Sequence, residues 1–587
     1  MARSGPLLTL LLLFLWMYGG KHLSAQPHSP PGHDTTTPQF YPSSPLPLSP
    51  PVPLPVSWIN SPSPVLQHFA DSSLRPFYHG IASGDPLPDR IIIWTRVTPD
   101  HHAPVEVTWK VALDSSMKEI MGEGRVLTDA SRDYTVKVDV PHLDPGTLYF
   151  YQFTALGRNS VTGRLKTAPT GYVDNLRFAV ASCANYQHGY FNAYRCIADR
   201  DDLDGVLFLG DYLYEDGVST DDYGPIQKRL HQPPQELRTL EEYRKRHAFY
   251  KLDPDLRYLH TRHPFIAIWD DHEMSDDCYT DGALGTSGSL WDRQKSEALQ
   301  AYFEWMPVRE PEGEENHHIF RSFRYGNLAE IIMLDTRQEG RVEQVESSDD
   351  PHLFDTERSM LGAEQLRWFL RTLDESDAQW KLIGNQVVMS QIRGIRNLDA
   401  WDGYPAERHR ILEWIRKKQI RNVLFLTGDA HISIASDICP DPFNRNDYDG
   451  STGNGSIGVE FTTPSITSAN MNELLHLPPR NYKTILAEQG LFLLNPHVKM
   501  ADLDNHGYFI LDLNSERAEA DWYFVKTLSE RNPGEGWGSS WKVRDGRGKL
   551  ERASSPLIVT PNIPSRGKKE KGRKDEDVHQ EFLSNQQ

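Results

Sequence analysis

The chain has 587 residues, with 81 acidic and 62 basic side chains and a net charge of −19 at pH 7. That balance argues against a protein that holds nucleic acid by neutralising phosphates or a membrane surface through a polybasic face. Four cysteines are too few for a disulfide-built miniprotein or an array of all-cysteine zinc sites, and an apolar share of 38% is low for a chain folded from end to end.

Residues 1–25 read as a secretory signal. Arg3 supplies the positive start, residues 7–17 are an almost unbroken apolar run too short to span a bilayer, and Leu23-Ser24-Ala25 offers a cleavage site. The alternative is an uncleaved signal anchor. No other stretch approaches 18 apolar residues, so the mature chain is expected to have no membrane span and to be extracellular, or to end in a vacuole, lysosome or cell wall. Residues 26–70 form a linker: 13 of the 41 prolines fall between residues 26 and 64, which rules out helix and sheet ladder alike. Residues 560–587 are a charged, solvated tail.

Residues 76–168 carry the alternation of half-buried strands. Val105, Val107, Trp109 and Val111 are spaced by two, as are Tyr134, Val136, Val138 and Val140. The turn sequence Asp144-Pro145-Gly146-Thr147 precedes an aromatic strand starting at Leu148. This predicts a β-sandwich of immunoglobulin or fibronectin type. Over residues 172–530 the texture changes. Apolar runs at 176–181, 206–209, 265–269, 331–334, 380–383 and 423–426 alternate with helical patterns at 291–305, around Leu366 and Phe369, and after Pro405. Strands alternating with helices predict a layered α/β body.

Polar residues follow these strands directly. Ser182-Cys183 follows the first run and Gly210-Asp211-Tyr212-Leu213-Tyr214 the second. Asp270-Asp271-His272-Glu273, Asn385-Gln386 and Gly428-Asp429-Ala430-His431 follow later ones. The carboxyl ends of strands in an α/β sheet share one edge, where ligands bind. Carboxylates, an amide, imidazoles, a phenol and a thiol gathered there suit metal ions: oxygen donors hold hard cations, while imidazole and phenolate suit iron or zinc. A pair of cations about 3.5–4 Å apart clamps the attacking and leaving oxygens of a phosphoryl centre.

Together these strings resemble the dispersed motifs of calcineurin-like metallophosphoesterases. The variants Ala181-Ser182-Cys183-Ala184-Asn185, Gly210-Asp211-Tyr212-Leu213-Tyr214-Glu215, Trp269-Asp270-Asp271-His272-Glu273, Leu334-Asp335-Thr336-Arg337 and Glu460-Phe461-Thr462-Thr463-Pro464 are similar to those of PhoD-like alkaline phosphatases, which have phospholipase D-type relatives. Ala82-Ser83-Gly84-Asp85-Pro86 resembles part of that family's N-terminal sandwich. The resemblance implies an αββα core preceded by a β-sandwich. It implies a ferric iron held by Cys183, Asp211, Tyr214 and His431, with Cys183 therefore outside any disulfide. It implies a calcium ion held by Asp211, Asp271, Asn385 and Asp429, with Asp211 bridging. His272 would contact the phosphoryl oxygens or protonate the leaving group. Pairing among Cys196, Cys278 and Cys439 stays open.

The expected activity is that of a secreted, metal-dependent phosphatase acting on small phosphorylated substrates. It would release phosphate from monoesters by in-line attack of a metal-bound hydroxide. A phosphodiesterase of phospholipase D type is the alternative within enzymes, and an inert secreted adhesion protein the alternative outside them. Arg293, Arg337 and His188 are candidate phosphate binders, Arg337 being alternatively a structural ion-pair partner. No Gly-x-Ser-x-Gly elbow stands at a strand end, which disfavours a serine nucleophile.

Overall fold

The computed structural model describes residues 71–218, 229–310 and 318–557. The signal expected over residues 1–25, the linker to residue 70 and the tail from residue 560 lie outside the described residues. No helix among the described residues is long and apolar enough to cross a membrane.

Eight strands come first: β1 (Ile81–Gly84), β2 (Arg90–Arg96), β3 (Val105–Ala112), β4 (Ile120–Thr128), β5 (Thr135–Pro141), β6 (Leu148–Ala155), β7 (Arg158–Asn159) and β8 (Gly163–Lys166). β3, β4, β6, β7 and β8 form one sheet, while β2 is flanked by β1 and β5 in another. The period-2 residues do what their spacing predicts. Val105, Val107, Trp109 and Val111 of the first sheet meet Ile91, Ile93 and Val136 of the second in one buried cluster.

The body follows with β9 (Asn175–Ala181), β10 (Gly205–Leu209), β11 (Phe265–Ile268), β12 (Gly282–Ala283), β13 (Thr286–Ser287), β14 (Arg321–Tyr325), β15 (Ala329–Met333) and β16 (Trp380–Asn385). It continues through β17 (Val423–Thr427), β18 (Ser433–Ile438), β19 (Gly458–Thr462), β20 (Val498–Asp502), β21 (Gly507–Asn514), β22 (Arg517–Val525), β23 (Glu535–Arg544) and β24 (Leu550–Ala553). Ten strands run in the order β24-β23-β22-β21-β9-β10-β11-β1-β2-β5, and seven in the order β14-β15-β16-β17-β19-β18-β20. The early β layer is therefore continuous with the body's first sheet. β1 pairs in parallel with β11, placing Gly84 against Phe265. A Cβ at Gly84 would lie 2.2 Å from the Pro307 carbonyl oxygen, so only glycine admits that approach. Beside it the buried Asp85 accepts a fork from Arg321, at 2.7 and 3.0 Å.

The two large sheets face each other across the main core, which explains why their strands read as continuous apolar runs. Alternation survives as a division of labour. Ile331, Leu382, Leu424 and Leu426 point into the inter-sheet core. Ile332, Ile383 and Phe425 point outward to Phe369, Ile411 and Leu412, which lie on the helices Gly362–Glu375 and Pro405–Lys418. The first sheet carries its own outer helices, including Leu240–Lys251, Pro254–Arg262 and Gly288–Trp305. Their starts are chemically marked: Thr239 and Glu242 form a reciprocal capping box, and Asp253 caps the next helix with Pro254 in its first turn. The layers are thus helix, sheet, sheet, helix.

Candidate metal centre

Parallel pairing aligns the carboxyl ends of β9, β10 and β11 in one sheet and of β16, β17 and β19 in the other. The loops at these ends are tied together. The Cys183 and Ala184 amides donate to the Gly210 and Asp211 carbonyls at 3.1 and 2.9 Å, and the Ile466 amide crosses between sheets to the Ser182 carbonyl at 3.0 Å. Asp211, Tyr212 and Asp270 each donate an amide to the buried Glu273 carboxylate, at 3.1, 2.6 and 2.8 Å. Glu273 is thus a hub for the two loops that carry Asp211 and Asp271.

Four predicted ligands sit in the left-handed backbone region that L-residues avoid. The φ values are 61° for Cys183, 56° for Asp211, 55° for Asp429 and 54° for His431. Each such residue costs about 1–2 kcal/mol. Cys183, Asp211 and Asp429 stand two residues beyond β9, β10 and β17, and His431 four beyond β17, where the chain turns off the sheet edge.

Cys183, Asp211 and His431 bring one potential ligand atom each within 4.8 Å of one another, and Asp211 does the same with Asp271 and His272. Asp211 belongs to both groups. Tyr214 adds its hydroxyl to the first, donating to Asp211 Oδ2 at 2.9 Å and lying 3.2 Å from His431 Nε2. His431 Nδ1 lies 2.9 Å from the Ala469 carbonyl, which makes it the protonated nitrogen and directs Nε2 inward. Asp211 Oδ1 is buried and finds no hydrogen-bond partner among the described residues.

The electrostatics fit a cation. Burial, reinforced by Asp211, pushes the Cys183 thiol and the Tyr214 phenol well up. Asp211 is raised by burial and by Asp271, Asp270 and Glu273, against the pull of His272. Burial and Asp270 raise Asp429. Anions crowded out of water in this way need compensating positive charge. A thiol, a phenol, an imidazole and a carboxylate with one orphaned oxygen converge as the donor set of a transition-metal site.

The remaining predicted residues are placed as follows. Asp271 accepts the His272 and Asp277 amides at 2.9 and 2.8 Å, and against the penalty of burial Arg337 holds it below the usual carboxylate range. Asn385 is fully buried, with Oδ1 accepting from Trp401 Nε1 at 3.1 Å and Nδ2 donating to the Val387 carbonyl. Its oxygen keeps a second lone pair. His272 lies against the Tyr214 ring, centroids 4.0 Å apart, and its Nδ1 is 2.7 Å from Glu215 Oε2. Burial pulls the His272 pKa down, but Glu215, Asp271 and Asp211 together overcome it and raise the pKa well above its ordinary value.

Glu215 and Glu273 stand inside the strand-end motifs, where the sequence alone assigns neither a role. The signal was present: a carboxylate four residues beyond a strand-end aspartate, and another after the histidine. Arg337 is wholly buried among Asp270, Asp271, Asp399 and Asp429, so it is an ion-pair partner and does not meet phosphate. Arg293 is exposed and paired along its own helix with Glu297. All four cysteines are free, so Cys196, Cys278 and Cys439 form no disulfide.

Two family models match the chain: PhoD-like phosphatase over residues 178–522, and the N-terminal domain of PhoD-like phosphatases over residues 63–169. The chain is 33% identical over 514 residues to alkaline phosphatase D of Bacillus subtilis (strain 168), covering 83% of this chain and 84% of that one. A solved structure of PhoD superposes with a TM-score of 0.74 at 31% identity, covering 83% of this chain and 94% of that one.

Proposed function

The chain belongs to the PhoD-like phosphatase family and is a phosphatase, and from that premise we propose that it is a secreted, metal-dependent enzyme releasing phosphate from small monoesters. The observation that carries metal dependence is the sharing of Asp211 between two groups, one of Cys183, Asp211 and His431, completed by Tyr214, and one of Asp211, Asp271 and His272; Asp429 falls in neither group and is assigned to the second cation from the family resemblance. Cys183, Asp211, Tyr214 and His431 would hold iron, and Asp211, Asp271, Asn385 and Asp429 would hold calcium. Bound cations supply Lewis acidity towards a phosphoryl group and the water that attacks it.

The chain's own residues do the rest. Glu215 takes the Nδ1 side of His272, and Nε2, 3.8 Å from the Asp276 carboxylate, is the nitrogen that would meet a phosphoryl oxygen or give a proton to the departing alcohol. The Tyr214 ring fixes the plane of that imidazole. Similarity to a protein named alkaline phosphatase D favours the monoester reading. The apolar run at residues 7–17 favours export.

The test is the ratio of initial rates on an aryl phosphate monoester and a bis-aryl phosphodiester, using mature protein with added calcium. A higher monoester rate is expected; diester preference would replace the reading by a phosphodiesterase, with lipid head groups tried next. Asp211→Asn should lower turnover by roughly two orders of magnitude or more, since it weakens both cation sites, while circular dichroism stays unchanged. Retained turnover would remove Asp211 from the centre.

A further inference from the structure

Arg337 follows β15, a strand of the seven-stranded sheet. Its guanidinium has no exposure to solvent. Nε donates to Asp270, in the loop after β11 of the other sheet. Nη1 donates to Asp399 at 2.8 Å. Nη2 lies 3.6 Å from Asp271 Oδ2 and 3.5 Å from Asp429 Oδ1. One nitrogen therefore addresses two carboxylates that come from the two different sheets.

Those two carboxylates are not equally supported. Asp271 also accepts two backbone amides. For the Asp429 carboxylate, Arg337 is the hydrogen-bond donor found among the described residues. Without it, Asp429 would stand in the left-handed region with a carboxylate repelled by Asp270, Asp271 and Asp399. A planar guanidinium with a fork of donors can hold several carboxylates in one plane, and an ammonium point charge cannot.

We propose that Arg337 is a positioning residue for the second cation: it clamps Asp271 and Asp429 across the two sheets so that both present an oxygen to the ion beside Asp211. This rests on the two-cation reading above. It touches neither substrate nor cation, and acts only through the two carboxylates. Partners of this kind change metal affinity without being ligands.

The experiment uses the full chain, depleted of its second cation and titrated with calcium alone by calorimetry, for wild type, Arg337→Lys and Arg337→Gln. Both variants should bind calcium roughly 10- to 100-fold more weakly. The visible absorption of iron bound to Tyr214 should persist, and excess calcium should restore turnover. Arg337→Lys keeps the charge, so it reports on the fork itself and serves if Arg337→Gln fails to fold. Should neither fold, Asp399→Asn, which loosens the Nη1 anchor without touching a ligand, should shift calcium affinity in the same direction. Calcium affinity within twofold of wild type in a folded variant would overturn the proposal, as would simultaneous loss of the iron band. A wild-type chain that takes up iron but no calcium would instead overturn the two-cation reading, and this proposal with it.

Discussion

Glu215 illustrates how a residue gains a role from its neighbour. It is buried, accepts the Asp276 amide with one oxygen and faces His272 Nδ1 with the other. Glu215→Gln keeps the size and loses the charge. It should lower kcat by about 10-fold or more with little change in KM, because an imidazole held by an amide is a poorer proton donor at the leaving oxygen. Equal kcat in the variant would count against His272 acting as an acid. A second buried cation lies away from the centre. Lys251 is pushed down by burial to about 7, with Nζ donating to Tyr212 Oη at 2.9 Å. Unfolded, this lysine holds its proton up to about pH 10.5. Between these values the unfolded state binds more protons, so this group makes folding more favourable as pH rises from 7 and less favourable towards pH 7 and below. Lys251→Met should therefore gain most, relative to wild type, at pH 6 and least at pH 9; parallel thermal melts across that range would contradict it.

At the scale of elements, the centre depends on how strands end. Gly210 has a φ of 103°, and a Cβ there would lie 2.4 Å from the Asp270 Cβ. The turn after β10 and the turn after β11 thus touch through a missing side chain, which brings Asp211 near Asp271. Gly210→Ala should destabilise the chain by about 1–3 kcal/mol and should also bleach the iron band, because spreading the turns displaces Asp211. A normal spectrum in a destabilised variant would mean that the turn is structural only. The strands facing the inter-sheet core were legible as apolar runs, since both of their faces are covered. β4 was not, because its residues alternate between exposed and half-buried with no apolar stripe to mark them. The strands after β17 were also missed. β18 and β21 are almost wholly buried, and β22 is buried from Ala518 to Trp522, yet they carry Ser, Asp and Glu among their apolar residues, which hides the run.

For the whole molecule, the consequential feature is that one sheet spans both the early β layer and the body. β1 joins the edge of β11, and Asp85 receives Arg321 and the Arg309 amide. The early layer therefore shares hydrogen bonds and a buried ion pair with the body. Asp85→Ala should cost about 3–5 kcal/mol, the usual loss when one partner of a buried pair is removed. Calorimetry of the wild type should show one cooperative transition for residues 71–557; a separate early transition for the β layer would refute that coupling.

The sequence by itself determined the residue chemistry and the existence of the main elements. Period-2 patterns marked the early strands, apolar runs marked the covered ones, and Asp211, Asp271, Asn385, Asp429 and His431 were singled out because each stands at or within a few residues of the end of an apolar run. Which side chains meet was decided by tertiary structure. Tyr214 touches His431 across more than 200 residues of chain, and no local pattern encodes that separation. The sequence left Arg337 open between binding phosphate and pairing with acids. Its burial among four carboxylates from separate loops settled the matter, because desolvation depends on what packs around a group and is not written in its neighbours along the chain. The sheet shared by the two β layers was invisible for the same reason: β1 and β11 are 180 residues apart, and their register is set by the close approach at Gly84 rather than by either strand's own pattern.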